Sequence, residues 1–273
     1  MDTKIQVQGF SLADTLDCGQ TFRWKQTGSH TFCGIQRGKY LKVSQEGETL
    51  IFHGISKDEA DRVWTDYFDL RTDYAAMQEI FRKDPVLQKA AACCGGIRLL
   101  CQDPWEALCS FIISQNNNIP RIKAIVERLC QQFGEECPGG YAFPKPEKLA
   151  VCTVEELAPL RAGFRAKYIL DAAQKVAGGE VSLERISNLP LDEARTELMR
   201  IKGVGIKVAE CALLYGFHRL DAFPVDTWIR KALEEYYPNG FPDFAQPRGV
   251  AQQYLFHYIR HRKEYEKNDS ISI

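Results

Sequence analysis

The chain has 273 residues, a formal net charge of −1, 45% hydrophobic and 26% charged residues. That length suits one large or two ordinary domains, and the composition builds a core and excludes a disordered chain. No apolar run approaches the roughly 18 residues of a membrane span, and the start lacks the pattern of a secretory or transit peptide.

Residues 4–54 alternate β-rich runs (Ile5–Val7, Thr21–Lys25, Thr31–Ile35, Tyr40–Val43, Thr49–Phe52) with turn clusters at 26–28 and 45–47, the pattern of an antiparallel meander. From Ser56 the apolar spacing is helical. It predicts helices at 57–69, 73–82, 84–93, 104–115, 119–133, 146–149, 153–160, 164–177, 183–187, 191–201, 206–216, 226–236 and 247–263. Pro/Gly clusters at 137–140 and 238–240 separate helices. The tail 267–273 is expected to fray. The fold class is α+β: a small N-terminal antiparallel sheet domain with helices (1–95), then a helical domain (96–273).

The 10 cysteines form no CxxC pair, so zinc-ribbon spacing is absent, and they read as small buried hydrophobes in a reducing compartment. Near-neutral bulk charge does not announce a nucleic-acid partner. Basic residues nonetheless group locally: Arg121, Lys123 and Arg128; Arg161, Arg165 and Lys167; Lys202, Lys207, Arg230 and Lys231. Acidic runs offset them, and a solvated helix face explains such groups equally well.

The segment Leu198–Trp228 carries the strongest chemical signal. Two helical patterns, within a hairpin at 191–217, flank Ile201-Lys202-Gly203-Val204-Gly205, which is too short for anything but a tight helix–helix turn. Glycine permits positive φ there and lets another group approach the backbone. The N–H groups of Gly203, Val204 and Gly205 then suit a phosphate at a helix N-terminus, although an ordinary αα turn reads the same way. Lys207 falls in the first turn of the second helix, where a positive charge opposes the macrodipole and the free amine of a nucleophile is favoured. Asp226, after Phe223-Pro224-Val225, sits where an N-cap belongs. Capping keeps a carboxylate ionised and fixed in place, so it does not exclude catalysis.

Hairpin, Gly-Val-Gly, Lys207 and Pro224-Val225-Asp226 together resemble the helix–hairpin–helix DNA glycosylase superfamily, and within it the 8-oxoguanine DNA glycosylase/AP lyase family. Supporting segments are Cys18-Gly19-Gln20-Thr21-Phe22-Arg23-Trp24, Asn116-Asn117-Asn118-Ile119-Pro120-Arg121-Ile122, Gly163-Phe164-Arg165-Ala166-Lys167-Tyr168 and Gln252-Gln253-Tyr254-Leu255-Phe256. The resemblance runs from about residue 8 to about residue 260. It implies that the helical domain is catalytic and that the enzyme is a bifunctional glycosylase of base excision repair. Its lysine forms a Schiff base and nicks the strand by β-elimination.

By the same resemblance, Lys207 is the nucleophile and Asp226 stabilises charge on the sugar or positions the nucleophile. Gly19 accepts the N7 hydrogen of 8-oxoguanine through its carbonyl, Phe256 and Cys211 sandwich the base, and Gln252 meets its Watson–Crick edge. Asn116, Arg121 and Arg165 read the widowed cytosine, and Phe164 takes the place of a wedging tyrosine. Read without the resemblance, Phe256 and Cys211 are core residues, Gly19 is a turn, and the asparagines are a polar helix-terminating loop. Two positions depart from the family pattern: Trp228 stands where relatives often have a phosphate-contacting histidine, and Glu210 replaces an aspartate.

The implied partner is double-stranded DNA carrying 8-oxoguanine opposite cytosine. The protein is expected to be an intracellular, cytoplasmic or nucleoid monomer of prokaryotic type with no membrane partner. No cofactor is required; the hairpin is a candidate cation site through the carbonyls of Met199, Ile201 and Val204. No cysteine follows Cys211, so the iron–sulfur cluster of some relatives is excluded. The alternatives are a glycosylase for other oxidised or alkylated bases, disfavoured by the four base-pocket residues, and a non-catalytic DNA-binding module, disfavoured because phosphate binding requires neither Lys207 nor Asp226.

Overall fold

The computed structural model describes residues 2–271. Five strands, β1 (Thr3–Gln6), β2 (Lys25–Gly28), β3 (Thr31–Gln36), β4 (Lys39–Glu46) and β5 (Thr49–His53), form one antiparallel sheet in the order β1-β5-β4-β3-β2. Strands β2 to β5 are the expected meander, and β1 returns to close the far edge, Thr3 opposite Phe52. Alternate residues of β4 and β5, among them Leu41, Val43, Leu50 and Phe52, are buried beneath it with Trp24, Trp64 and Phe68. Gly34 is required by this packing, since a Cβ there would lie 2.5 Å from the Trp24 ring.

The run Thr21–Lys25 differs from expectation, because pairing begins only at Lys25. Gln20 holds the preceding residues away from the sheet. Its amide donates to the carbonyls of Thr15 (2.9 Å) and Arg98 (2.8 Å) and accepts from Leu100 N–H at 2.9 Å. These long-range bonds outcompete the period-two pattern. A short helix, Leu12–Asp17, capped by Ser11, was not expected. Nor was the two-stranded hairpin of Glu136–Cys137 with Gly140–Tyr141.

The remaining chain is helical, and local chemistry explains most of the boundaries. Asp103 caps Pro104–Ser114, Asn118 caps Ile119–Phe133, and each has a proline in the first turn, where a missing N–H costs nothing. The predicted helix 153–160 is reduced to a single tight turn, Ala158–Leu160, where Pro159 lacks a donor and Thr153 and Glu156 bond each other's backbone. The last helix, Arg248–Ile271, runs into the tail expected to fray, and residues 272–273 of that tail lie outside the described residues.

Two cores result. The helices Tyr74–Phe81 and Pro85–Cys94 pack with the helical region, with the Phe81 ring 6.0 Å from that of Tyr254, while Leu100 joins the core of the sheet. Packing therefore divides the chain otherwise than a cut at residue 95. A buried ion pair, Arg23 to Glu106 at 3.4 Å, joins the two regions. Burial raises the Glu106 carboxyl to about 7 against the pull of the Arg23 guanidinium. No helix among the described residues is long and apolar enough to cross a membrane.

Candidate active site

The hairpin is built as its sequence suggests. Helix Leu191–Leu198 ends, Gly203 turns the chain at φ +80°, and Gly205 caps helix Ile206–Tyr215. At Gly203 a side chain is excluded twice, by the left-handed backbone and by the Tyr168 ring, which a Cβ would approach to 2.4 Å. Gly205 faces open space. Val204 and Ile201 are buried and pin the turn, which Asp171 holds by accepting the Lys202 N–H at 2.7 Å.

Lys207 lies in the first turn of this helix, its Nζ 3.4 Å from Ser114 Oγ and 5.6 Å above the Phe111 ring. One turn on, Cys211 is buried. Burial pushes its thiol up to about 11, with Lys207 pulling it down and Asp226 pushing it further up. The thiol is therefore neutral near pH 7.

Asp226 caps helix Thr227–Tyr236, its Oδ1 accepting the N–H groups of Trp228 (3.0 Å) and Ile229 (2.8 Å). The loop before it is tied to the lysine's helix by Glu210, whose Oε2 accepts the Phe223 N–H at 2.6 Å while Oε1 pairs with Arg195. The departure at Glu210 is thus structural in effect: a buried carboxylate spans the two elements that carry Lys207 and Asp226.

A cleft of about 1150 Å³ joins these groups to residues from both chain ends. Lys207, Asp226, Gly19, Cys211, Gln252 and Phe256 all line it, as do Asn116, Phe164, Gly205 and Trp228. Gly19 has φ +86°, and a Cβ there would lie 3.9 Å from Phe256 Cε1. Gln252 is 3% exposed; its Nε2 donates to the Pro224 carbonyl at 3.1 Å, and its Oε1 has no partner. Arg260 also lines the cleft. Sequence reasoning missed it, and its position one helical turn beyond Phe256 was the available signal.

The asparagines divide their work. Asn118 is a cap, Asn117 Nδ2 donates to the Ile113 carbonyl at 3.0 Å, and Asn116 adopts φ +47° in the cleft wall. Arg165 is not brought to the cleft surface. Its guanidinium is buried, donating to the carbonyls of Asn116 (2.7 Å), Ala162 (3.2 Å) and Gln115. Arg121 is exposed beside it, reaching the Arg161 carbonyl at 3.5 Å. Phe164 is 47% exposed and Trp228 44%, two aromatic surfaces facing solvent at the cleft.

At the hairpin no group of His, Cys, Asp or Glu among the described residues could hold a metal. A cation there would rest on backbone carbonyls alone, and that of Ile201 already accepts the Val204 N–H at 3.0 Å.

Residues 109–243 match the HhH-GPD superfamily of base excision DNA repair proteins, and residues 3–108 match the N-terminal domain of 8-oxoguanine DNA glycosylase. Fold and site thus define a DNA glycosylase of the helix–hairpin–helix type. A solved structure of MBOgg1 in complex with a low-affinity DNA ligand is 42% identical, with a TM-score of 0.91 covering 96% of each chain. The 8-oxoguanine glycosylase/lyase of Clostridium acetobutylicum, solved with double-stranded DNA containing cytosine opposite 8-oxoguanine, is 37% identical. It covers 96% of this chain and 98% of its own, with a TM-score of 0.87. The N-glycosylase/DNA lyase of Saccharomyces cerevisiae is 32% identical over 260 residues, 83% of this chain and 68% of the yeast protein. The chain belongs to the 8-oxoguanine DNA glycosylase family, enzymes of base excision repair that act as N-glycosylases and DNA lyases.

Proposed function

We propose that the cleft receives 8-oxoguanine flipped from double-stranded DNA, with cytosine opposite, and that Lys207 removes it. The observation that carries this reading is the shared cleft, in which the lysine and Asp226 sit with Gly19, Cys211, Gln252 and Phe256. The Lys207 amine attacks C1′ through its nitrogen lone pair as the C1′–N9 bond breaks; the base leaves with that bond's electron pair and takes up the proton the amine sheds. Ring opening converts the adduct to a Schiff base. Loss of a C2′ proton then expels the 3′ phosphate and nicks the strand. Asp226, fixed by its cap bonds, offers its second oxygen to the positive charge developing on the sugar.

Selectivity follows from hydrogen-bond accounting. The orphan Gln252 Oε1 is an acceptor suited to the N1–H and N2–H groups of a guanine. The Gly19 carbonyl is suited to the N7–H that 8-oxoguanine has and guanine lacks, and a mismatched lone pair there is strongly rejected. In this reading Phe164 acts as the wedge, the hairpin backbone at Gly203, Val204 and Gly205 as the phosphate grip, and Arg121 and Asn116 as readers of the widowed cytosine. Arg165 serves that reading by holding the Asn116 backbone. A hairpin cation on the Met199, Ile201 and Val204 carbonyls would add charge to the phosphate grip.

Borohydride trapping on DNA with 8-oxoguanine opposite cytosine tests the scheme. The native protein is expected to trap and Lys207→Gln to lose trapping altogether. Undiminished trapping by that variant places the nucleophile elsewhere.

A further inference from the structure

The base pocket proposed above leaves part of its ligand unserved. Gln252 Oε1 and the Gly19 carbonyl are both acceptors, and they meet donors on 8-oxoguanine. The N7–H that Gly19 would receive is flanked by two carbonyl oxygens, O6 and O8, and both need donors once the base leaves water. Phe256 and the neutral Cys211 thiol offer a face and a weak donor.

Arg260 lies at this spot. It lines the same cleft, its guanidinium carbon is 5.2 Å from the Phe256 ring centroid, and its Nη1 is 3.6 Å from where a Gly19 Cβ would stand. A base resting on Phe256 with its N7 edge at Gly19 therefore lies within reach of a side chain that only donates. Gly19 also keeps room for this contact. Each of the three nearest atoms to its hypothetical Cβ is on a cleft side chain, Arg260, Ile119 or Phe256, rather than on backbone.

We propose that Arg260 is a specificity-determining residue that donates a hydrogen bond to a carbonyl oxygen flanking N7 of the flipped oxidised purine. The assignment rests on the base-pocket reading above. It extends the recognition of the oxidised edge from one backbone acceptor to an acceptor and a charged donor side by side. An unmodified guanine offers acceptors at O6 and N7 but no N7–H, so it can engage the Arg260 donor yet sets a lone pair against the Gly19 carbonyl, and only the oxidised base satisfies both members of the pair.

The test compares single-turnover removal of 8-oxoguanine with cleavage of the same duplex carrying a preformed abasic site, which has no base for Arg260 to touch. In Arg260→Leu the ratio of base removal to abasic cleavage is expected to fall about tenfold or more, the scale of a lost charged hydrogen bond. Arg260→Lys, which keeps the charge but not the fork, is expected to fall between. A parallel loss on both substrates would assign Arg260 to the DNA backbone or to folding, and an unchanged ratio would remove it from recognition; either overturns the proposal. Failure of the native protein to release 8-oxoguanine would instead overturn the underlying reading, so the two failures are distinct.

Discussion

Glu210 accepts a 2.6 Å hydrogen bond from the backbone N–H of Phe223 and so ties the helix bearing Lys207 to the loop that delivers Asp226. Its other oxygen pairs with Arg195, and the carboxylate is buried. Removing it leaves the Arg195 guanidinium paired with Asp192 alone and a backbone donor without its partner. Glu210→Ala is expected to cost about 3 kcal/mol of stability. It is also expected to slow base removal, because the spacing of Lys207 and Asp226 is no longer held. Chemical denaturation and single-turnover kinetics check this; a variant that keeps native stability contradicts it.

Arg121 and Arg165 are expected to behave differently when truncated, although the family resemblance gave them one role. Arg121→Ala removes an exposed side chain, so stability should stay within about 0.5 kcal/mol while the preference for cytosine opposite the lesion relaxes. Arg165→Ala removes several charged hydrogen bonds to the carbonyls of Gln115, Asn116 and Ala162. It should cost about 2 kcal/mol or more and relax the same preference by freeing Asn116. Melting curves with excision against all four opposite bases separate the two; equal stability losses would refute the distinction.

Glu106 gives stability a pH dependence with a definite sign. Its folded value, about 7, lies above the ordinary carboxylate value of 4.5, so the folded state binds the extra proton between those limits. Stability therefore falls as pH rises from about 4.5 to about 7, by roughly 3 kcal/mol from this group. Glu106→Gln should flatten that part of the curve. Identical slopes in the two proteins, followed by denaturation across that range, would count against the assignment.

Gly203 and Gly205 should respond very differently to alanine. At Gly203 both the left-handed φ and the Tyr168 ring oppose a methyl group, so Gly203→Ala should lose about 2 kcal/mol or more. At Gly205, with φ −97° and open space, the same change should shift stability by less than about 0.5 kcal/mol. Thermal melts of the two variants decide it; comparable melting temperatures would argue against it.

Much of the site was legible where the signal is local. Asp226 was readable as a cap because a cap bonds the backbone two or three residues on, and the Gly203 turn because only glycine takes that φ cheaply. The strand pattern failed at Thr21–Lys25 because the bonds of Gln20 reach Arg98 and Leu100, far along the chain.

The sequence by itself determined the fold class and the hairpin, and through its family resemblance it singled out Lys207 and Asp226, because periodicity, capping and motif spacing are written over short stretches. Only the tertiary structure decided that Gly19 lies near Phe256, that Gln252 Oε1 is buried without a partner in a residue lining the cleft, that Arg165 is spent on the Asn116 backbone, and that Arg260 lines the same cleft beside Gly19 and Phe256. Those facts depend on how helices and loops distant in the chain pack around a common core, and no spacing along the chain encodes that approach.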